Sequence, residues 1–370
     1  MSGLPEDIVE EILCHVPAKC LKRCKRWNHL FNDKRFARKH FGKAVRQYLA
    51  LTITKKLRVY SLNFNLHGFL SIDVTGELSI INSHSYLNLA DIEEVLHYDG
   101  LLLCTIMRGC PRLVVWNPCT GQTKWIQINS SCYHGYALGS WQDKESGNNN
   151  SYKILSYNYF DIHKQKIAIC DMKSNSWRNL DVTPDCRLVN ASLYSVSLKG
   201  RTYWFVAPLT TYLSEETHFG LVSFDYKTER FERMCLPSCH IATMLGTLAL
   251  SVVKEEKLIV LLHGANTSKT EIWLTNKIDE TKVVSWSMVL AMDHLEFDIW
   301  SNVRLIFDEE KRFGVCCNRK RRVKNGKIHC ECIVHIIEED NKVTKVDFAA
   351  SKLSYLPLLF NYVPSLVQIQ

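Results

Sequence analysis

Cysteine and histidine are the residue types here best suited to chemistry, and metal binding is the first chemistry to weigh for the 15 cysteines and 14 histidines of this 370-residue chain. Cys235-x-x-x-Cys239-His240 reads as a loop, and Cys316-Cys317 with Cys330-x-Cys332 would approach each other across a hairpin. Zinc ligands usually pair with roughly two to four residues between them. A Cys-x-Cys on a strand instead turns both thiols to one face, a common core arrangement. The histidines show no ligand spacing. There is no glycine-rich phosphate loop, no Gly-x-Ser-x-Gly elbow and no His-Glu-x-x-His pair. The expectation is therefore no catalytic residue, no metal site and no cofactor. The odd cysteine count without a disulfide framework, and the absence of an N-terminal secretory run, point to reduced thiols in the cytoplasm and/or nucleus. No apolar stretch reaches the roughly 20 residues of a membrane span, so no membrane partner is expected.

Charge offers a second chemistry. The formal net charge is +8, yet residues 18–46 alone hold eleven Lys/Arg (Lys19, Lys22, Arg23, Lys25, Arg26, Lys34, Arg35, Arg38, Lys39, Lys43 and Arg46) against one acid, Asp33. Such a segment suits nucleic acid or another acidic partner. Solvated faces of short helices explain it equally and are the favoured reading. A second basic run, Arg319-Lys320-Arg321-Arg322-Val323-Lys324-Asn325-Gly326-Lys327, reads as a hairpin tip and also matches a nuclear localisation pattern.

The elements that must carry these residues begin with a short helix in the first 17 positions. Pro5 suits a first helical position, Glu6 and Asp7 complement the N-terminal dipole, and Pro17 stops the helix after Val16. Ile8, Val9, Ile12, Leu13 and Val16 read as one apolar stripe. Cys20, Leu21, Cys24, Trp27 and Phe31 keep helical spacing, and Asp33 can cap a third helix bearing Phe36, Ala37, His40 and Phe41. Three helices this short cannot bury a large core alone, so they lean on a partner or on the rest of the chain.

Past residue 50 a hairpin cue recurs: apolar residues, an Asn or Asp opening a polar turn, then an aromatic. Asn117, Asp171 and Asp225 are 54 residues apart. Asn63 is the weakest member on the backward step, Asn276 follows forward, and a sixth cue runs from Cys332 to Asn341. Lys199-Gly200 and Asp99-Gly100 read as turns between strands. Unit repeats of about 50 residues with several strands each indicate kelch-type propeller blades, here about six. A β-sandwich or irregular barrel is the competing architecture. The apolar run at 353–369 reads as a buried closing strand.

Leu4-Pro5-Glu6-Asp7, Glu11-Ile12-Leu13, Val16-Pro17, Lys25-Arg26-Trp27-Asn28 and Arg35-Phe36 resemble an F-box. They look most like those of plant F-box proteins with an F-box-associated propeller. Val114-Val115-Trp116-Asn117-Pro118 with Gly121-Gln122-Thr123-Lys124-Trp125-Ile126, and the ending Tyr362-Val363-Pro364-Ser365-Leu366-Val367, resemble that propeller domain. The resemblance implies a mainly β protein: a small three-helix F-box module over residues 1–45, then a kelch-like β-propeller over 50–370. It implies that Leu4, Pro5, Ile8, Ile12, Leu13, Val16, Pro17, Leu21 and Trp27 bind a Skp-type adaptor, and through it a cullin–RING ubiquitin ligase. The propeller would hold a target protein, with loops 143–151, 209–218 and 319–327 as candidate contacts. The double glycine of kelch motifs is missing. About four residues that the family carries before Cys24 are also missing, close to one helical turn. This leaves a second reading, a propeller binding module uncoupled from the ligase. A nucleic-acid binder and a propeller enzyme come third and fourth.

Overall fold

A computed structural model describes residues 4–21, 25–31, 33–44, 49–53, 58–65, 71–79, 92–106, 112–128, 134–143, 149–158, 166–182, 184, 186–188, 195–207, 220–237, 245–264, 269–279, 284–293, 303–324, 327–340, 342–346 and 358–369. The chain starts with α1 (Glu6–Leu13), α2 (Ala18–Leu21), a 3-10 turn (Lys25–Trp27), α3 (Asn28–Phe31) and α4 (Lys34–Lys43). Three helices were expected; α2, the 3-10 turn and α3 fall where the middle one was placed, and residues 22–24 between α2 and the 3-10 turn lie outside the described residues. Asp33 caps α4 as expected, its carboxylate accepting from the backbone N–H groups of Arg35 (2.6 Å) and Phe36 (2.9 Å).

The remaining chain forms six sheets, most of four antiparallel strands, each corresponding to one blade. The innermost strands are Leu358–Tyr362, Ile92–Tyr98, His134–Asp143, Ser195–Leu198, Leu245–Val253 and Arg304–Asp308. Each lies against the next, and the sixth lies against the first, so the blades form a closed ring. The architecture is the expected propeller. The ring is closed by the C-terminal strand, Leu358–Tyr362, which pairs antiparallel with Leu49–Ile53 and completes blade 1. Residues 363–369 then leave the sheet.

Blade packing explains the composition of the strands. Leu101–Ile106 is buried at every position, because the second strand of a blade is covered on both faces by its neighbours. Each main cluster straddles two blades. Leu103, Val115 and Ile126 of blade 2 pack on Leu138 and Ile154 of blade 3, and Tyr203 and Phe205 of blade 4 pack on Leu258 and Val260 of blade 5.

The recurring cue proves to be the turn between the third and fourth strands. The side-chain oxygen of Asn117 accepts from the N–H groups of Cys119 and Thr120 (2.8 and 3.2 Å); Asp171 and Asp225 do the same for residues two and three ahead. Asn276 accepts instead from Ser285 N–H, and Asp340 from Lys342 N–H. Asn63 departs from the expectation. It sits inside strand Arg58–Asn65, paired with Asp73, and the connection at 66–70 lies outside the described residues. Asp99-Gly100 and Lys199-Gly200 take positive φ at both positions (52° and 77°, 48° and 73°), matching the right-handed twist of the hairpins they join.

Strand direction alternates, so turns joining first to second and third to fourth strands open on one face of the ring. Connections joining second to third strands, or one blade to the next, open on the other. The Asn117 turn belongs to the first face.

Candidate functional site

The structure divides the apolar stripe of α1 into two faces. Val9, Leu13 and Cys14 point inward and are buried. Leu4, Ile8 and Ile12 are 46%, 45% and 38% exposed, the largest apolar exposures among the described residues apart from Met288. Ile8 and Ile12, one turn apart on α1, lie about 6 Å apart along the helix, and Leu4 extends the exposed apolar row just before the helix begins. Pro5, also exposed, precedes the first helical residue and leaves no N–H to satisfy there.

The other predicted docking residues sit differently. Leu13 (2% exposed) and Leu21 (0%) lie in the interior with Leu30, Phe31 and Phe36, so they hold the module together and offer no surface to a partner. Both were expected among the adaptor-binding residues, and the structure places them on the inner side, because the helical period alone does not say which edge of a stripe faces inward. Val16 and Trp27 are half-buried and pack against the same interior; Pro17 is half-buried at the start of α2. The Arg26 guanidinium lies 5.2 Å from the Trp27 ring centre, on the outer side.

Ion pairs brace the polar side of α1 against α4. Lys39 reaches Glu10 (3.1 Å) and Glu11 (2.9 Å), Lys43 reaches Glu11 (2.5 Å), and Arg35 reaches Glu10 (3.8 Å). Hydrogen bonds from Lys43 and Lys39 hold the Glu11 carboxyl down at about 2. Three of the basic residues counted in 18–46 are therefore engaged within the module. His40 ties α4 to the end of α1: its Nε2 donates to the Val16 carbonyl at 2.7 Å, and burial lowers its pKa.

The module is anchored to the propeller by the C-terminal tail. Leu366, and Cys119 of the Asn117 turn, are buried in the same cluster as Val9 and Leu13. Asn117 is fully buried, and its amide donates to the carbonyls of Ser365 (3.0 Å) and Val367 (2.7 Å). The Gln368 amide donates to the Phe31 carbonyl at the end of α3 (3.3 Å), and Gln122 accepts from Ile369 N–H (3.0 Å). The outward row thus rides on a support fixed from behind, on the face of the ring that carries the Asn117 turn. No local sequence signal announces this weld, because Asn117 and its tail partners are about 250 residues apart in the chain.

Across the hairpin the backbone register sets Cys316 opposite His335, Cys317 opposite Val334, Cys332 opposite Arg319 and Cys330 opposite Arg321, so no two of these cysteines are direct cross-strand partners. Cys239 and His240 lie outside the described residues. Burial pushes the thiols of Cys104 and Cys170 up to about 12 and 11, which makes them poor nucleophiles at neutral pH. Glu11, Cys14 and His15 bring three possible ligand atoms within 4.8 Å of one another, but the Glu11 carboxylate is engaged by Lys39 and Lys43 and the Cys14 thiol by the Glu11 carbonyl (3.0 Å). Around the ring axis a cavity of about 960 Å³ is lined by the innermost strands, including His97, Ser195, Ser251 and Asn361. Among the described residues no helix is long and apolar enough to cross a membrane. Of the candidate loops, 143–151 joins first and second strands and opens on the face of the helical module, 319–327 opens on the opposite face, and 209–218 lies outside the described residues.

The F-box domain family matches residues 1–39, and the F-box associated beta propeller domain family matches residues 50–369. An Arabidopsis thaliana protein named as a probable F-box protein is 49% identical over all of this chain and 87% of its own length. An F-box/kelch-repeat protein of the same plant is 41% identical over 99% of this chain and 96% of its own, and a further F-box protein is 40% identical over the same shares. An apolar helix row mounted on a closed six-bladed ring, with both halves matched in order, places the chain in the family of F-box proteins that carry an F-box-associated β-propeller.

Proposed function

We propose that this protein is the substrate-recognition subunit of a Skp–cullin–F-box ubiquitin ligase. The row Leu4, Ile8 and Ile12 docks the Skp-type adaptor, Pro5 and the half-buried Val16, Pro17 and Trp27 border it, and the propeller holds a target protein. The observation that carries this reading is the exposed apolar row on a helix whose opposite side is sealed against the chain's own core. Covering one half-exposed Leu or Ile is worth about 1 kcal/mol, so the row provides a real but partial share of a protein–protein interface. The chain contributes proximity: a tethered target meets the ubiquitin-charged enzyme at high effective concentration, and no residue of this chain need touch the reacting thioester. Such an assembly works in the cytoplasm and/or nucleus, where thiols stay reduced.

The test is capture by a purified Skp-type adaptor. Ile8→Asp places a charge in the apolar row without touching the buried side, and should weaken capture by at least about 100-fold while the thermal melt stays unchanged. Undiminished capture would reject the assigned surface. The shortened sequence before Cys24 favours a second reading, a propeller module uncoupled from the ligase. It predicts no capture by the unaltered chain, and capture once the four missing residues are restored before Cys24.

A further inference from the structure

The cavity on the ring axis has walls that are fixed in advance of any occupant. Two hydrogen bonds cross the ring, each skipping a blade. Gly200 N–H of blade 4 donates to the Tyr98 hydroxyl of blade 2 (3.0 Å), and the Asn361 amide of blade 1 donates to the Val252 carbonyl of blade 5 (3.1 Å). The Tyr98 hydroxyl also bonds that of Ser140 in blade 3 (2.9 Å). A volume of about 960 Å³ remains, within the roughly 300–1,000 Å³ of small-molecule pockets. It extends from the innermost strands to the turns of blades 4 and 5 that hold Lys199, Lys227 and Lys254. Those turns lie on the face of the helical module, which is itself fixed to blade 2.

The wall is electrically balanced. Six Lys/Arg and six Asp/Glu line it, a formal sum of zero. Arg201 is forked onto Asp225 (2.6 Å) and Glu232 (2.7 Å), Lys254 reaches Glu310 (2.6 Å), and Lys199 donates to the Ile278 carbonyl (2.6 Å). His97, also in the wall, is held neutral by burial. Two uncharged polar groups stand apart. The Ser195 hydroxyl, on a residue 2% exposed, and the Trp141 indole N–H are buried with no hydrogen-bond partner among the described residues. Both residues line the cavity. Ser195 begins its strand and lies about 10 Å deeper than Leu198, which precedes the Lys199-Gly200 turn. A buried polar group without a partner is costly, so folded chains almost always supply one. Val196, Leu250 and Val252 add apolar wall.

We propose that this cavity binds an uncharged small organic molecule, one that sets an oxygen acceptor against a flat apolar ring. The oxygen accepts from the Ser195 hydroxyl, Trp141 supplies a second donor, and the ring packs on the aliphatic wall. An ion would gain nothing from a wall whose charges already cancel, and would lose its hydration on entry. Water satisfies the same donors, and a cavity holding water alone is the outcome to beat. The inference goes beyond the proposed function and does not depend on adaptor binding.

The test uses the full chain without adaptor and equilibrium dialysis against coumarin, which sets a lactone carbonyl on a flat apolar ring. Coumarin should bind with a Kd below about 1 mM. Naphthalene, of similar size but without an oxygen, should bind at least about tenfold more weakly, and so should the charged 1-naphthalenesulfonate and 1-naphthylmethylammonium. Ser195→Ala should weaken coumarin binding about tenfold without lowering the melt of the unliganded chain, because the hydroxyl has no hydrogen bond there to lose. Ser251→Phe, which fills the cavity from the innermost strand of blade 5, should abolish binding. Met288→Ala, on the outermost strand of the same blade, should leave it unchanged. If Ser251→Phe fails to fold, Ser195→Ala still decides the matter. No binding of coumarin at 1 mM (about the weakest affinity the proposal allows), equal binding of naphthalene or of either charged analogue, or undiminished binding by either folded cavity variant would each overturn the proposal. So would a crystal structure grown with coumarin that shows only water in the cavity. Absence of adaptor capture would leave the coumarin result standing, so the two readings fail separately.

Discussion

Asn117→Asp separates two jobs that one buried side chain performs. Its oxygen shapes the turn after the third strand of blade 2, and its amide nitrogen holds two carbonyls of the C-terminal tail. Aspartate keeps an oxygen for the turn but turns an acceptor toward the carbonyls of Ser365 and Val367. Two hydrogen bonds are lost at about 1 kcal/mol each, and two buried acceptors go unpaired at a further 1 kcal/mol or more each, so the tail should lose about 4 kcal/mol or more of local stability. The loss is local, because the blades have their own cores. Hydrogen exchange with mass spectrometry reads it directly: amides in 363–369 should exchange at least about 100-fold faster, and those of α1 and α4 should follow, since Leu366 is part of their core. Amides of Leu101–Ile106 should not change. If the tail stays protected while blade 2 loosens, the tail is not the strap described, and the account of how the helical module is held is wrong.

Leu21→Ala should cost about 2–5 kcal/mol in the helical module and abolish adaptor capture by unfolding it, whereas Leu4→Ala should weaken capture with the melt intact; equal melts for the two would contradict the division of α1 and α2 into inner and outer faces. Gly139→Ala would place a methyl 2.0 Å from the ring of Tyr226, which is fully buried and cannot yield, so the propeller should melt at lower temperature by the equivalent of about 1–3 kcal/mol or more; an unchanged melt would show that blades 3 and 4 are not packed this closely. Acid should destabilise the ring through His97, whose Nε2 accepts from Gly100 N–H (3.2 Å) and which burial holds at about 3 against an ordinary 6.5. Below pH 6.5 the unfolded chain takes up this proton and the folded chain does not until about pH 3. Stability should therefore fall as pH drops through that window, by about 1.4 kcal/mol per pH unit from this group. His97→Gln should remove that part of the slope in urea titrations; an identical pH dependence would refute it.

The blade rhythm was legible because it rests on local chemistry. An Asn or Asp that bonds the backbone two residues ahead makes its turn whatever the rest of the chain does, and Asn117, Asp171 and Asp225 repeat because each blade needs that turn at the same place. Asn63 misled for the same reason in reverse: the residue type alone does not distinguish a turn from a strand position facing Asp73. Asp308 makes the same turn between first and second strands but falls off the 54-residue rhythm, so spacing does not reveal it. The first helix was equally plain from its prolines, its acids and its periodic apolar residues.

Periodicity and turn residues act within a few positions, so the elements, their order and the repeating blade units were legible in the sequence, while a closed ring was one of the architectures they allowed. Long-range packing settled which half of the α1 stripe faces out, that Leu13 and Leu21 are core, that the blades close into a ring, and that the C-terminal tail straps the helical module to blade 2. Those facts depend on contacts between residues far apart in the chain. A pattern of apolar and polar residues says that a side must be covered, but not which distant neighbour covers it.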